Sequence, residues 1–535
     1  MKRKLALKVK EKTGITLITL IITIIILLIL AGITISAITG DNGIIKNAGQ
    51  AKEETEIANE KEIVEKATVQ AMGNNKYGNI EESELQSELD KETGEGKTEA
   101  TDIGDEFEVI FNESNRYYMV DKDGNVGEAQ DIIKDKNPGD ITTGKDGETL
   151  DGSEEHPYEI WCVEDLVTFS NMVNGEGIRM ENGNPVEITT ANSFSEKYVV
   201  LKTSLNFKSK LSYQDSERTD FGDINGDEND GNTLMNEMMT GSGFKPIGEN
   251  IYTGKFNGIF EGNGNQIYNL YENYTDRNIG LFGYIEGAVI QNLSIQGEIQ
   301  LFSNGSAAGG IVGLGSGILL NCSSNINIEA KGVGVGGIVG KSWSKVEIIN
   351  CSNFGKISNT SESTGGIFGR SEGDTNIYNS YNIGEIAATG YQVGGIVGYC
   401  VGNVNILNTY NSGRISQKGP NGRGGIVGAI GSNGVVNIDS VYSIGKVVEC
   451  SNVGGICGYR YDDSKSNLTI NNSYYLSSVC NVAVANEEDI KYGVTKAESL
   501  TNEELKNYLN MYIQAENRES WKTWELGKEG YPIFK

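Results

Sequence analysis

The sequence predicts a mainly β protein: a parallel β-solenoid with three short strands per coil of ~29 residues, preceded by an N-terminal transmembrane α-helix and a small α+β unit. Three observations predict it. A glycine-rich string recurs at near-constant spacing, branched apolar residues fall in register when the copies are stacked, and an apolar run follows a basic N-terminus.

The chain has 535 residues, enough for several domains, with 70 Gly and only 6 Pro. Collagen needs Gly at every third position and much Pro, so these glycines belong to something else. The net charge of −28 is spread along the chain and argues against a nucleic-acid partner, which needs Lys/Arg stripes. Seven cysteines without a C-x-x-C pair give no zinc or disulfide framework, and His156 is the sole histidine.

In order along the chain, residues 1–14 form a basic leader, with Lys or Arg at positions 2, 3, 4, 8, 10 and 12. Residues 15–38 carry no charge and are long enough to cross a bilayer, so the membrane is one expected partner. Positive flanks stay inside, which places the C-terminal region outside the cell. The apolar run is longer than a cleaved signal normally carries. From Ile44 an amphipathic pattern extends this helix to about residue 72, and residues 73–130 form the small α+β unit, with a hairpin across 106–126. Residues 131–152 are polar and Gly-rich and are expected as a linker.

The leader also resembles that of type IV prepilins, in which cleavage follows a glycine and the apolar helix becomes the mature N-terminus. Gly14 matches that glycine, and Ile15 would be the new first residue. The resemblance implies a prepilin peptidase and a pilus-like assembly as partners. It departs where the family carries glutamate at the fifth mature position, which is Thr19 here.

The repeat occupies 251–483, between an N-terminal cap region (153–250) and a C-terminal cap (484–535). GGIVG or a close variant starts at Gly309, Gly336, Gly365, Gly394, Gly424 and Gly454, with a degenerate copy at Ile279. Stacking the copies gives three apolar ladders. These are Leu281 through Ile456, Ile290 through Ile470, and Ile299 through Val447 to Val479. A coil cannot bury such an edge alone and does so against its neighbours. Asn292, Asn321, Asn350, Asn379, Asn408, Ser440 and Asn472 form a further column two residues after the second ladder. Their parity predicts that they point inward and hydrogen-bond from coil to coil. The repeat glycines, and Gly355, Gly384, Gly413 and Gly445, are expected to allow tight corners or a special φ that a β-branched residue could not adopt. Short helices are predicted at 164–173 and 498–512, the second with Thr501 as N-cap and Glu504 three residues later.

Units such as GGIVGKSWSKVEIINCSNFGKI resemble the GLUG repeats of bacterial surface proteins, over about residues 153–535. Some secreted metalloproteases also carry such repeats, but no H-E-x-x-H occurs here.

Few residues point to chemistry. Asp223, Asn225 and Asp227 alternate as calcium-loop ligands do, but Glu228 and Leu234 stand where an EF-hand needs Gly and Glu. They are either a weak calcium site, the only cofactor expected, or an acidic loop. Tyr381, Tyr410, Tyr442 and Tyr474 share one position in successive coils. They could stack on a sugar or anchor a protein, or they could fill a corner of the fold. Cys322 and Cys351 stack in adjacent coils, as a disulfide or as small packing residues. No nucleophile–base pair can be assembled, so a non-enzyme is expected. The expected function is an adhesin-like, membrane-anchored or filament-associated surface protein with a glycan or matrix-protein ligand. A ligand-free pilin-like scaffold and a carbohydrate-active solenoid enzyme are the competing readings.

Overall fold

The structure, a computed structural model, describes residues 44–535 except 76–77, 105, 115, 132–136, 146, 182–183, 214–233, 250, 418, 420–421, 449–450, 463, 477–479, 487–493, 497–499 and 516–520. The leader, Gly14, Ile15, the apolar run 15–38 and the Asp223/Asn225/Asp227 loop lie outside the described residues. Among those described, no helix is long and apolar enough to cross a membrane. The chain divides into two compact units, Met1–Ile132 and Ile133–Lys535.

In the first unit, helix α1 (Ile44–Asn74) and helix α2 (Glu82–Thr93) accompany an antiparallel sheet. Its strands are β1 (Thr98–Asp102), β2 (Glu106–Phe111), β3 (Arg116–Asp121) and β4 (Gln130–Asp131), in sequential order. β2 and β3 are the predicted hairpin. Val64, Ala67 and Ala71 of α1 bury against Leu85, Leu89, Phe107, Val109 and Tyr118. Glu60 ties helix to sheet, because the Arg116 guanidinium donates to both its oxygens at 2.8 and 3.0 Å and Tyr118 Oη donates at 3.0 Å. Burial works against the charge on Glu60, but these bonds still hold its carboxyl below the usual range.

The second unit is a parallel β-solenoid of about seven turns over residues 259–475. It has three faces. Face 1 is a six-stranded sheet of dipeptides from Ala308–Gly309 to Val453–Gly454. Face 2 starts as single long strands, Phe282–Gln291 and Val312–Leu320, and then divides into two short strands per turn, as in Val339–Ser342 and Val346–Ile349. Face 3 divides in the same way after Ser323–Ala330. Three strands per coil is therefore the pattern of the first turns, and the later turns bend each long strand in two.

The apolar ladders form as expected. Ile290, Leu319, Ile348, Ile377, Ile406, Ile438 and Ile470 pair in unbroken register. The other two ladders are buried through Ile456 and Val447, while Val479 lies outside the described residues.

Of the two reasons expected for the glycines, tightness holds at Gly336, Gly365, Gly384 and Gly413 and special φ does not, since none of the four has left-handed φ. They are small because backbone crowds them. A Cβ on Gly336 would sit 2.1 Å from the Val339 carbonyl oxygen of its own coil and 2.8 Å from the Ile367 carbonyl oxygen of the next. One on Gly384 would sit 2.0 Å from the Gly355 carbonyl oxygen of the previous coil. The left-handed corners belong to the asparagine column instead, with φ of 54° at Asn292 and Asn321, 56° at Asn350 and 50° at Asn379. Asparagine tolerates this region better than other residues with a Cβ.

That corner also corrects the expected inward orientation. A left-handed residue breaks strand parity, so Asn321 is exposed. Its amide still donates to Asn292 Oδ1 at 2.9 Å, and Asn350 donates to Asn321 at 2.8 Å. Asn379 and Asn408 of the same column are buried, with Asn408 donating to Asn379 Oδ1 at 2.8 Å, and a further buried amide ladder lies elsewhere. Asn353 donates to Asn382 Oδ1 at 2.8 Å and Asn382 to Asn411 at 2.9 Å, each also reaching the carbonyl two residues on. Each buried amide is thereby paired, which removes the cost of burying it.

At the start of the solenoid, Tyr158–Ile160, Tyr198–Leu201 and Ile259–Glu261 continue face 2 in parallel. Helix α3 (Val163–Asn174) covers this end, and Phe169 meets Phe194, Phe256 and Phe260 with ring centroids 5.0–6.0 Å apart. Part of the expected linker is built into this unit, since Ile141 joins its core and the Gly139 N–H donates to Asp165. A short helix α4 (Leu234–Met239) follows.

Only the first part of the C-terminal segment sits on the solenoid's end, where Val484 pairs with Cys457. After Thr495–Lys496 adds a rung beside Tyr474–Tyr475, helix α5 (Asn502–Ala515) and the hairpin Trp524–Leu526/Pro532–Phe534 run along the side of the coils. The expected capping box forms, with Thr501 Oγ1 accepting from the Glu504 N–H and Glu504 accepting from the Thr501 N–H.

Candidate functional site

A solenoid offers chemistry only on its outward positions, because alternate residues fill the core. Three outward regions carry the candidates.

The tyrosine column is the first. Tyr381, Tyr410 and Tyr442 stack nearly parallel, with centroids 4.9 and 5.2 Å apart and planes within 3° and 4°. The C-terminal segment covers them. Trp524, Phe534, Leu505, Leu509 and Ile513 pack against the rings, leaving Tyr410 4 %, Tyr442 1 % and Tyr474 8 % exposed. Polar bonds fasten the cover: Trp524 Nε1 donates to Asn408 Oδ1 at 2.8 Å, the Lys522 N–H to Asn379 Oδ1 at 3.2 Å, and Tyr442 Oη to the Pro532 carbonyl. Burial raises the phenol pKa of both Tyr410 and Tyr442. The stripe is therefore internal packing, not an open platform for a ligand.

The second region is the charged column of face 3. Glu298, Asn327 and Lys356, with Gln300, Glu329 and Ser358 beside them, line a shallow groove of about 200 Å³. Lys356 pairs with Glu385 at 3.3 Å. Beside Glu385, the Ser416 hydroxyl and the Lys356 ammonium lower its carboxyl pKa. Lys356, the cation lining this groove, is thus already partnered.

The third region was not singled out in the sequence. On the outward side of face 2, Leu314, Lys341, Arg370, Tyr399, Ala429 and Tyr459 share one register position in successive coils. Trp343 and Tyr461 lie two residues beyond Lys341 and Tyr459. Together they make an unbroken row. Lys341 Nζ stands 5.1 Å from the Trp343 ring, and the Arg370 guanidinium lies 5.1 Å from that of Tyr399. Tyr399 meets the edge of Tyr461 at 5.6 Å, and Tyr461 meets Tyr459 at 5.0 Å. Tyr461 reaches back across a coil because Ala429 and Gly431 leave room, and a Cβ on Gly431 would come 3.1 Å from Tyr399 Oη. Gln392 Nε2 donates to Tyr461 Oη at 2.7 Å. Unlike the ladder, this row is open: Trp343 is 51 %, Tyr461 44 % and the neighbouring Tyr391 41 % exposed. Glu372 accepts Arg370 at 2.7 Å and Lys341 at 3.2 Å, so both cations are already partnered. The sequence signal was aromatics and cations at one outward repeat position whose residue type changes from coil to coil, which a search for repeated identical residues passes over.

Cys322 and Cys351 are free thiols, both buried. Burial raises the Cys322 thiol pKa, and Ser380 and Thr409 continue the column as small polar residues. Among the described residues, no cluster of three His, Cys, Asp or Glu side chains is arranged to hold a metal ion.

No family model matches the chain, and no curated protein matches it. Among solved structures it is similar to the 1.30 Å crystal structure of a "putative immunoglobulin A1 protease" from Bacteroides ovatus, at 19 % identity and a TM-score of 0.41 over 72 % of this chain and 95 % of that one. A likeness at that level assigns no activity.

Proposed function

We propose that the chain is an adhesin-like surface protein that acts by binding and not by catalysis, with the solenoid as a rigid display rod. The observation that carries this reading is the open row from Trp343 to Tyr461. Large aromatic side chains are left in water there although the fold buries its other aromatic column. Residues 15–38 would anchor the chain in the membrane, with the remainder outside the cell. Cleavage between Gly14 and Ile15 by a prepilin peptidase would instead release it into a filament. Its kinship with GLUG-repeat surface proteins and with prepilins is part of the same proposal, as is weak calcium binding by Asp223, Asn225 and Asp227.

The test compares intact cells that carry the full chain with cells lacking it, for adherence to glycan-coated and matrix-coated surfaces. The reading requires that adherence be lost with the chain and that antibodies label the solenoid on unbroken cells. Equal adherence of both strains refutes it. The mass of the N-terminal peptide then separates the anchored form, which keeps Lys2 to Lys12, from the processed form starting at Ile15.

A further inference from the structure

The row on face 2 has a chemistry of its own. Four coil steps separate Trp343 from the equivalent position of Tyr461, about 19 Å along the axis at the spacing of neighbouring strands. Its aromatic rings are not fused into one greasy patch. Lys341, Arg370 and Glu372 stand between Trp343 and Tyr399, and Gln392 holds the hydroxyl of Tyr461. Flat apolar faces alternating with hydrogen-bonding groups suit a ligand that is itself alternately apolar and polar along its length. A sugar chain is such a ligand, since each ring offers a C–H face for stacking and hydroxyls at its rim.

Charge narrows the class. The protein carries −28 overall, which repels polyanions. Within the row the cations Lys341 and Arg370 are bound by Glu372, and Glu362 lies a further 3.9 Å from Arg370. Neither cation is left over to bind a carboxylated or sulfated polymer. A purely apolar protein surface would have to cover these charged groups without pairing them, which is costly.

We infer that the row Trp343–Lys341–Arg370–Tyr399–Tyr461–Tyr459 is a platform for an uncharged polysaccharide chain laid along the solenoid axis; this rests on the binding function proposed above. Trp343 and Tyr461 supply the exposed stacking faces, and Glu372 supplies an acceptor beside them.

The experiment uses the detergent-solubilised full chain in affinity electrophoresis. The probes are soluble uncharged polysaccharides (a glucan, a mannan and a galactan) and acidic ones (hyaluronate and alginate), with adherence to a matrix-protein coating measured in parallel. An uncharged chain should retard the protein. Trp343→Ala with Tyr461→Ala should weaken that binding about tenfold or more, while the thermal midpoint stays within about 2 °C. Single Trp343→Ala and Tyr461→Ala variants give smaller losses of the same kind and stand in if the double variant unfolds. Binding only to acidic polymers, or sugar binding indifferent to these variants, overturns the platform and leaves a surface-binding function standing. Capture of the matrix protein without sugar binding also overturns the inferred ligand while sparing that function. Absence of binding to every probe overturns both.

Discussion

The solenoid carries two aromatic columns, and they are built in opposite ways. The column Tyr381–Tyr410–Tyr442–Tyr474 repeats one residue type at one position, stacks its first three rings in parallel and lies under the C-terminal segment. The face 2 row mixes Trp343, Tyr399, Tyr459 and Tyr461 with Lys341 and Arg370, so that the residue type changes from coil to coil, and it leaves Trp343 and Tyr461 in water. Strict repetition in a solenoid marks what neighbouring coils need from each other, because each coil presents the same environment to the next. An outward feature that breaks the repeat is not required by that packing.

The contrast should appear first in stability. Tyr442→Ala removes a ring packed between Tyr410 and Trp524 and leaves a cavity, at an expected cost of about 4 kcal/mol in denaturant unfolding of the solenoid. A loss below about 1 kcal/mol would mean that the cover, and not the stack, carries the packing.

Charge follows the same division between inside and outside. On the open row, burial works against the charge on Glu372, yet Arg370 and Lys341 hold its carboxyl below the usual range. Inside the first turns, burial pushes Glu272 up to about 8 against the pull of the Gly280 N–H, which donates to it at 2.9 Å. The folded chain therefore holds this proton between about pH 4.5 and 8, where the unfolded chain has released it. The stability from Glu272 is complete below pH 4.5 and is lost as pH rises towards 8. Glu272→Gln, which imitates the neutral acid, should match the wild type near pH 4.5 and exceed it at pH 8 by on the order of 3 kcal/mol. Equal stability curves at both pH values would show that Glu272 is ionised in the fold.

The amide ladders extend the comparison to polar groups. Asn382→Ala breaks the chain of buried bonds between Asn353 and Asn411 and should cost about 2 kcal/mol. Asn321→Ala removes a similar bond at an exposed corner, and the left-handed backbone there is the larger part of its effect. Asn321→Gly, which keeps that backbone at ease, should therefore be near neutral. The smallest change is expected on the row itself, where Tyr461→Ala should alter stability by less than about 0.5 kcal/mol. A larger loss would return Tyr461 to the fold and weaken its assignment to a ligand.

These particulars also show what the sequence made legible. Register was readable because apolar residues at fixed spacing have one way to stack, and the ladder of Ile290 to Ile470 formed as expected. Corners were not, because a period-two argument stops at a left-handed residue, and Asn321 turned outward as a result. The glycines signalled tightness but not its kind, since close backbone approach and unusual φ both exclude a Cβ. The cover over the tyrosines was hidden for a different reason. The segment 500–535 has the capping box and apolar face of any docking helix, and nothing local says whether it meets the solenoid's end or its side. The open row was missed because its shared repeat position carries Lys341, Arg370, Tyr399, Ala429 and Tyr459 in turn, not one residue type.

The central claim, one column covered and one open, is tested most directly by nitrating tyrosines of the native full chain and mapping the products by peptide mass spectrometry. The account predicts rapid modification of Tyr461 and Tyr391, with Tyr410 and Tyr442 protected until the solenoid unfolds. Early modification of Tyr410 and Tyr442 under native conditions would mean that the C-terminal segment does not cover them, and would contradict it.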